Sequence, residues 1–161
     1  MMKKTTLISF VMLLALGSFV LVNFNSCKSP AGKNIGLQLY SIRDSINRDV
    51  PAAIEKVADM GYTFVEMAGY RDGKFYGMDP AEFSALCQKN GLQVLSSHTG
   101  RSLPDSAGYE EAMAWWDQCI DAHYAAGVKF IVQPSMDRSA YESIENISRW
   151  CAYFNEVGIR T

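Results

Sequence analysis

The sequence has no surplus of positive charge. Its 161 residues carry 15 Lys and Arg against 17 Asp and Glu, a net charge of −2. Residues 1–26 hold two lysines and no acidic residue, so the rest of the chain carries −4. Such a mildly acidic body lacks the basic footprint of nonspecific nucleic-acid binders, which argues against a nucleic-acid partner. Cysteine is scarce, and beyond Cys27 only Cys87, Cys119 and Cys151 remain. Their spacing fits neither a zinc cluster nor a CxxC redox pair. All three fall in helical patterns, where the expected role is that of small buried apolar side chains. No apolar run reaches the roughly 20 residues of a membrane span. No G-x-G-x-x-G follows the first expected strand, which lowers the nucleotide-binding Rossmann reading. The remaining composition, 48% hydrophobic and 12% aromatic, is that of an ordinary globular chain with room for one domain.

The N-terminus does hold a shorter apolar run. Lys3 and Lys4 form a positive start, and residues 7–22 are interrupted only by Ser9, Gly17 and Ser18. That suits a secretory h-region. It leads to Asn25-Ser-Cys27, a small residue directly before a lone cysteine, which resembles a bacterial lipoprotein signal. Phe24 stands where leucine is usual. The expectation is a signal peptide over 1–26, lipidation of Cys27, and a Ser-Pro-Ala-Gly-rich tether over 27–34. The protein would then be exported and held on the membrane by its lipid, facing the periplasm or the cell exterior.

From residue 35 onward one pattern recurs. Gly61-Tyr-Thr-Phe-Val-Glu66, Gly91-Leu-Gln-Val-Leu-Ser-Ser-His98, Gly127-Val-Lys-Phe-Ile-Val-Gln133 and Gly158-Ile-Arg-Thr161 share an opening glycine, a helical pattern before it and a short apolar run after it. A first strand is expected over 35–40. Helices are expected over 49–60 with Asp49 as cap, from the Asp79-Pro-Ala-Glu82 capping box to Asn90, over 109–126, and from a second capping box, Ser139-Ala-Tyr-Glu142, to about Val157. Residues 68–78 and 101–108 read as long loops. Within 91–98, strict alternation puts Leu92, Val94, Ser96 and His98 on one face and Gln93, Leu95 and Ser97 on the other. Units of about 30 residues alternating strand and helix mean parallel βα units, either a doubly wound sheet or a (β/α)8 barrel. Polar residues at successive strand ends favour the barrel, whose active sites gather at that face.

Gly36-Leu-Gln-Leu-Tyr-Ser41, the run ending in Glu66 and the run ending in His98, in that order, resemble the start of the sugar phosphate isomerase/epimerase group, the xylose isomerase-like TIM barrels. The likeness covers residues 35–161. It implies a sugar substrate and a divalent metal (Mn, Mg, Co or Zn), with a proton moved between carbons next to a carbonyl. Glu66 and His98 would be catalytic, and Gln38, Tyr40 and Gln133 would bind substrate at the same mouth. The family's main metal ligands come from strands five to eight, so no metal ligand can be carried over. The related zinc-dependent AP endonucleases place a histidine at the end of strand four, where this chain has Gln133.

A (β/α)8 barrel takes about 250 residues. Four complete βα units and a fifth strand opening at Gly158 are therefore expected, the N-terminal half of a barrel. Pairing of two copies is the alternative. The leading function is an exported sugar isomerase or epimerase. Alternatives are a lyase or hydrolase on keto-sugars, a non-catalytic sugar-binding lipoprotein, or an inactive fragment. Export favours unphosphorylated sugars. Arg43 and Arg71 sit in mouth-side loops and could meet an anionic substrate. His123 is expected at the surface or between helices, and one of Trp115 and Trp116 should point inward.

Overall fold

A computed structural model describes residues 34–161. The expected signal peptide, Cys27 and most of the tether lie outside the described residues. Four short strands form one parallel sheet: β1 (Gly36–Gln38), β2 (Phe64–Met67), β5 (Gln93–His98) and β6 (Phe130–Val132), adjacent in chain order. A short antiparallel hairpin, β3 (Tyr70–Arg71) and β4 (Lys74–Phe75), forms in the segment after β2, where the sequence pattern reads as a long loop. The helices are α1 (Arg43–Ile46), α2 (Val50–Asp59), α3 (Pro80–Lys89), α4 (Tyr109–Ala125) and α5 (Ile144–Ile159). Strand order never reverses. Right-handed crossovers then put every connecting helix on the same face of the sheet, as a barrel requires and a doubly wound sheet does not. The described residues thus form four parallel strands of a (β/α)8 barrel.

The helix-side face is a dry core. Leu39, Val65, Met67, Leu92 and Val94 from the strand segments meet Ile54 and Val57 of α2 and Phe83 and Cys87 of α3, all buried. Burying an aliphatic or aromatic side chain stabilises by roughly 1.5–3 kcal/mol, so this layer holds the sheet. A second cluster joins Met113, Trp116 and Cys119 of α4 to Tyr153 and Val157 of α5. The Trp116 indole N–H donates to the Tyr153 hydroxyl at 2.7 Å inside it. At its edge Arg160 Nη1 donates to both carboxylate oxygens of Asp117 at 2.8 Å.

The recurring glycines have a physical cause. Gly61, Gly91 and Gly127 follow helix ends with φ of +87°, +75° and +69°, a conformation that favours glycine and reverses the chain into the next strand. Gly158 breaks the series. It lies inside α5, which continues to Ile159, so the fifth strand expected at that glycine is not formed there.

The ends of the helices also differ from expectation. Asp49 caps α2 as anticipated, accepting from Ala52 N–H at 3.0 Å. Asp79 makes no side-chain cap on α3; its carboxylate turns to the Lys74 ammonium at 3.1 Å, which offers a full charge in place of a backbone dipole. The stretch expected to begin a helix at Ser139 is instead a 3-10 turn (Arg138–Glu142). Ser143, in extended conformation, caps α5 by accepting from Asn146 N–H at 3.1 Å.

His123 is neither at the surface nor solvated: it is 1% exposed. It packs edge-on against Phe75, with ring centroids 4.9 Å apart, so the hairpin rests on it. Its Nδ1 lies 2.6 Å from the Cys119 carbonyl, which can only accept, so the proton sits on Nδ1 and Nε2 is left without a partner. Burial lowers its pKa, against the opposing pull of that carbonyl. Trp116 is the inward tryptophan. Cys87 and Cys119 are buried thiols whose pKa burial raises to about 12, whereas Cys151 is exposed on α5, contrary to expectation; none of the three is in a disulfide.

A buried histidine with a depressed pKa contributes stability that is present above its unfolded pKa of about 6.5 and is lost as pH falls through the lower folded value. Wild-type protein should therefore lose stability between pH 7.5 and pH 5 in urea unfolding, and His123→Leu should flatten that slope. An unchanged slope would remove His123 from the account of acid sensitivity.

Candidate active site

The other face of the sheet carries polar side chains at the C-terminal ends of the strands. Register explains their meeting. Gln38 of β1 is the direct partner of Glu66 in β2, and Glu66 is the direct partner of Ser96 in β5. Direct partners in neighbouring strands share a face, with side chains about 5 Å apart. Gln38 Nε2 donates to Glu66 Oε1 at 2.6 Å, and Ser96 Oγ donates to Glu66 Oε2 at 2.6 Å. Gln38 Nε2 also lies 3.4 Å from His98 Nδ1. An amide N–H can only donate, so this contact leaves Nδ1 as the acceptor and the proton of neutral His98 on Nε2. That second nitrogen makes no hydrogen bond among the described residues.

An irregularity in β5 is what allows this. Val65 pairs with Val94, yet the next residue, Glu66, pairs with Ser96. The extra residue is a bulge, and bulges re-aim side chains. Strict alternation therefore fails across it. Val94 and Ser97 face the helices and are buried, while Ser96 and His98 face the other way with Glu66. The expected grouping of Leu92 and Val94 with Ser96 and His98 is corrected accordingly.

The electrostatics of Glu66 result from three opposed influences. Burial raises the carboxyl pKa, but the hydrogen bonds from Gln38 and Ser96 and the nearby charge of His98 outweigh it, and the net pKa is lowered. Glu66 is thus an ionised acceptor at neutral pH, held from both sides. General bases work best with a pKa near the operating pH. The carboxylate is better suited to gripping a hydroxyl donor than to removing a carbon-bound proton.

Of the five sequence-expected site residues, Gln38, Glu66 and His98 meet, and Tyr40 and Gln133 do not join them. Tyr40 is in a 3-10 turn (Leu39–Ile42) directly after β1 and is 55% exposed. Its ring lies under the Arg43 guanidinium, 4.9 Å from the centroid. Gln133 follows Val132, the partner of His98, and so alternates away from the polar face. Its amide is taken up by backbone: Oε1 accepts from Arg101 N–H at 3.1 Å and Nε2 donates to the Ser135 carbonyl at 2.6 Å. It ties the loop after β5 to the end of β6. Ser96 is the residue that sequence reasoning missed. The available signal was its position two residues before His98.

Among the described residues no group of three or more His, Cys, Asp and Glu could hold a metal ion. Glu66 and His98 supply one carboxylate and one imidazole, and both oxygens of Glu66 already accept hydrogen bonds. The cluster by itself does not make a divalent-metal site.

A family model described as Xylose isomerase-like TIM barrel matches residues 54–161. Among solved structures, a sugar phosphate isomerase/epimerase from Parabacteroides distasonis ATCC 8503 is 30% identical with TM-score 0.73, over 83% of this chain and 49% of that one. Another structure of that description from the same organism is 29% identical with TM-score 0.71, over 80% of this chain and 50% of that one. A D-psicose 3-epimerase from Clostridium cellulolyticum H10, solved with D-tagatose, shares the fold at 22% identity and TM-score 0.51, over 70% of this chain and 43% of that one. A search of curated proteins finds no match. The chain spans about half the length of the first two structures.

A depressed carboxyl pKa contributes stability that is present above the unfolded value of about 4.3 and is lost as pH falls through the folded one. Ser96→Ala removes one of the two donors, so the Glu66 pKa, followed by carboxyl-carbon NMR, should move up. The stability gap between wild type and Ser96→Ala should close as the pH falls below the wild-type pKa. An unmoved Glu66 titration would mean that the 2.6 Å contact does not hold the charge.

Proposed function

Because the chain belongs to the xylose isomerase-like TIM barrel family, we propose that it supplies the first half of the active-site face of a sugar isomerase or epimerase. The observation that carries this reading is the Glu66 carboxylate, kept ionised by donors from two neighbouring strands, with His98 beside it at the strand ends. Active sites of such barrels lie at that end of the strands. Polar groups so placed can take adjacent sugar hydroxyls.

In this reading each residue has a separate task. Glu66 accepts a hydrogen bond from a substrate hydroxyl and fixes the sugar's orientation. Gln38 spends one amide nitrogen on both Glu66 and His98, so that the two keep a common geometry. His98 offers Nε2 to a second oxygen, donating when neutral and taking part in proton movement when the substrate's hydroxyl or carbonyl changes charge. An isomerisation moves a proton from the carbon next to a carbonyl to the carbonyl carbon, while the hydroxyl proton passes to the former carbonyl oxygen. An epimerisation returns the carbon proton to the opposite face of the same carbon. A divalent metal, which the family resemblance implies, would polarise the sugar oxygens, and it would need ligands besides Glu66 and His98. The lowered pKa of Glu66 favours hydroxyl binding by this residue, which is also what a non-catalytic sugar-binding protein would need.

Glu66→Gln keeps the shape and removes the charge; His98→Asn keeps a hydrogen-bonding group and removes the titratable ring. Acid–base and orienting groups typically contribute a factor of about 10²–10⁴. In the full-length protein, kcat/KM for a ketose should fall at least about tenfold in both variants, with little change in melting temperature. Intact activity per folded molecule with a large loss of stability would make these residues structural.

Export with a lipid on Cys27 is part of the same proposal, supported by the Lys3–Lys4 start, the apolar run and the Ser26-Cys27 junction. Among the described residues no helix is long and apolar enough to cross a membrane. Metabolic labelling with a fatty acid should mark the wild type and be lost in Cys27→Ser. Labelling that survives the substitution would end the lipoprotein reading.

A further inference from the structure

The N-terminal ends of the four parallel strands lie together at the base of the sheet, opposite the end that carries Glu66 and His98. The described chain enters at that base. Thr63 N–H donates to the Ile35 carbonyl at 2.9 Å, and the Thr63 hydroxyl donates to the Asn34 side chain, which pins the entry point to the start of β2. Cys27 is seven residues before Asn34, and seven extended residues span at most about 25 Å. The 17 residues of α4 rise by about the same 25 Å between the mouth end and the base. A tether laid along the full height of the domain would be drawn straight, at a cost in conformational entropy.

The two ends also differ in chemistry. At the base, Lys56 and Lys89 stand in the last turns of α2 and α3, and Lys129 directly precedes β6. All three are exposed, and none forms an ion pair among the described residues. Those two turns hold one acid, Asp59. At the end of α5, Arg160 is engaged by Asp117 and Glu156. Met60, which ends α2, and Tyr124, in the last turn of α4, are exposed at the same end. The mouth end is acidic instead. The loops after β5 and β6 and the first turns of α4 and α5 carry Asp105, Glu110, Glu111, Asp137, Glu142 and Glu145 against Arg101 and Arg138. An anionic bilayer attracts lysines near its surface and repels carboxylates, and tyrosine suits its headgroup region.

We propose that the base of the sheet is a membrane-facing surface, seated on anionic phospholipid by Lys56, Lys89, Lys129, Met60 and Tyr124, with the mouth turned to the solution. The proposal rests on the Cys27 anchor reading above and goes beyond it by giving the domain an orientation. A mouth so turned takes dissolved sugars and excludes the headgroups of glycolipids in the same bilayer. The lysines are exposed, so their share of the contact weakens as ionic strength rises.

Fluorescence quenching on the full-length protein, anchored in vesicles of phosphatidylethanolamine and phosphatidylglycerol with spin-labelled headgroups, tests it. A Cys151→Ser background leaves only the buried Cys87 and Cys119 among the described residues. A probe can then be placed at Met60→Cys on the base or at Asp105→Cys beside the mouth. The probe at position 60 should be strongly quenched and the probe at position 105 should not. Lys56→Glu, Lys89→Glu and Lys129→Glu together should relieve the quenching at position 60. Equal quenching at the two positions, or stronger quenching at position 105, would overturn the orientation. Quenching at position 60 that ignores the three lysine substitutions would overturn the lipid contact. Where fatty-acid labelling shows Cys27 unmodified, the same two probes on protein added to the vesicles in low salt decide the matter. Quenching at position 60 alone keeps the base as the contact although the anchor reading has failed, and quenching at neither position ends the proposal. None of these readouts depends on Glu66 or His98, so the sugar-site reading stands or falls separately.

Discussion

Glu66 takes a hydrogen bond from each of the strands beside it, and the polar face of the sheet depends on that shared carboxylate. A charged group on a strand facing the inside of a barrel is costly unless its oxygens are satisfied. Gln38 and Ser96 satisfy them, one from each side, at 2.6 Å. The bulge in β5 is the backbone cost of this solution, since without the extra residue Leu95 rather than Ser96 would stand opposite Glu66. The same displacement turns His98 to the polar face and leaves Val94 in the core behind it. One backbone irregularity therefore serves packing on one face and a polar cluster on the other.

The two faces of the sheet are in very different states. Behind it, α2 and α3 cover a closed apolar layer. In front of it, Phe130 is 59% exposed and Val132 is 38% exposed, although both sit on a strand paired to β5. A parallel sheet is ordinarily covered on both faces. Apolar residues on this face are what the interior of a complete barrel would bury, in keeping with a chain that spans about half the length of its structural relatives.

Much of this was legible in the chain itself, because the signals were local. A glycine after a helical pattern marks a left-handed residue wherever the helix must stop, and Gly61, Gly91 and Gly127 behave so. Gly158 carries the same signature but remains helical, since a helix ends by its hydrogen bonds and contacts and not by composition alone. Glu66, Gln38 and His98 were visible as polar ends of apolar runs. The bulge was not, because an extra residue in one strand is defined only by its partner's register. Gln133 looked equivalent to His98 by position, yet alternation and two backbone partners take it out of the cluster. His123 was open to either a surface or an interhelical place, and nothing in the sequence pointed to packing under a hairpin. Its site is made by the hairpin β3–β4, two strands of two residues each, too short to show a period.

The most direct measurement is a crystal structure of the full-length protein with a bound ketose. The expected result is a pair of neighbouring sugar oxygens within about 3 Å of the Glu66 carboxylate and His98 Nε2, the ordinary hydrogen-bonding distance, with Gln38 still bridging the two residues. A sugar bound elsewhere on the barrel, with the Gln38–Glu66–Ser96 bonds undisturbed and no contact to His98, would contradict the assignment of this face as the site.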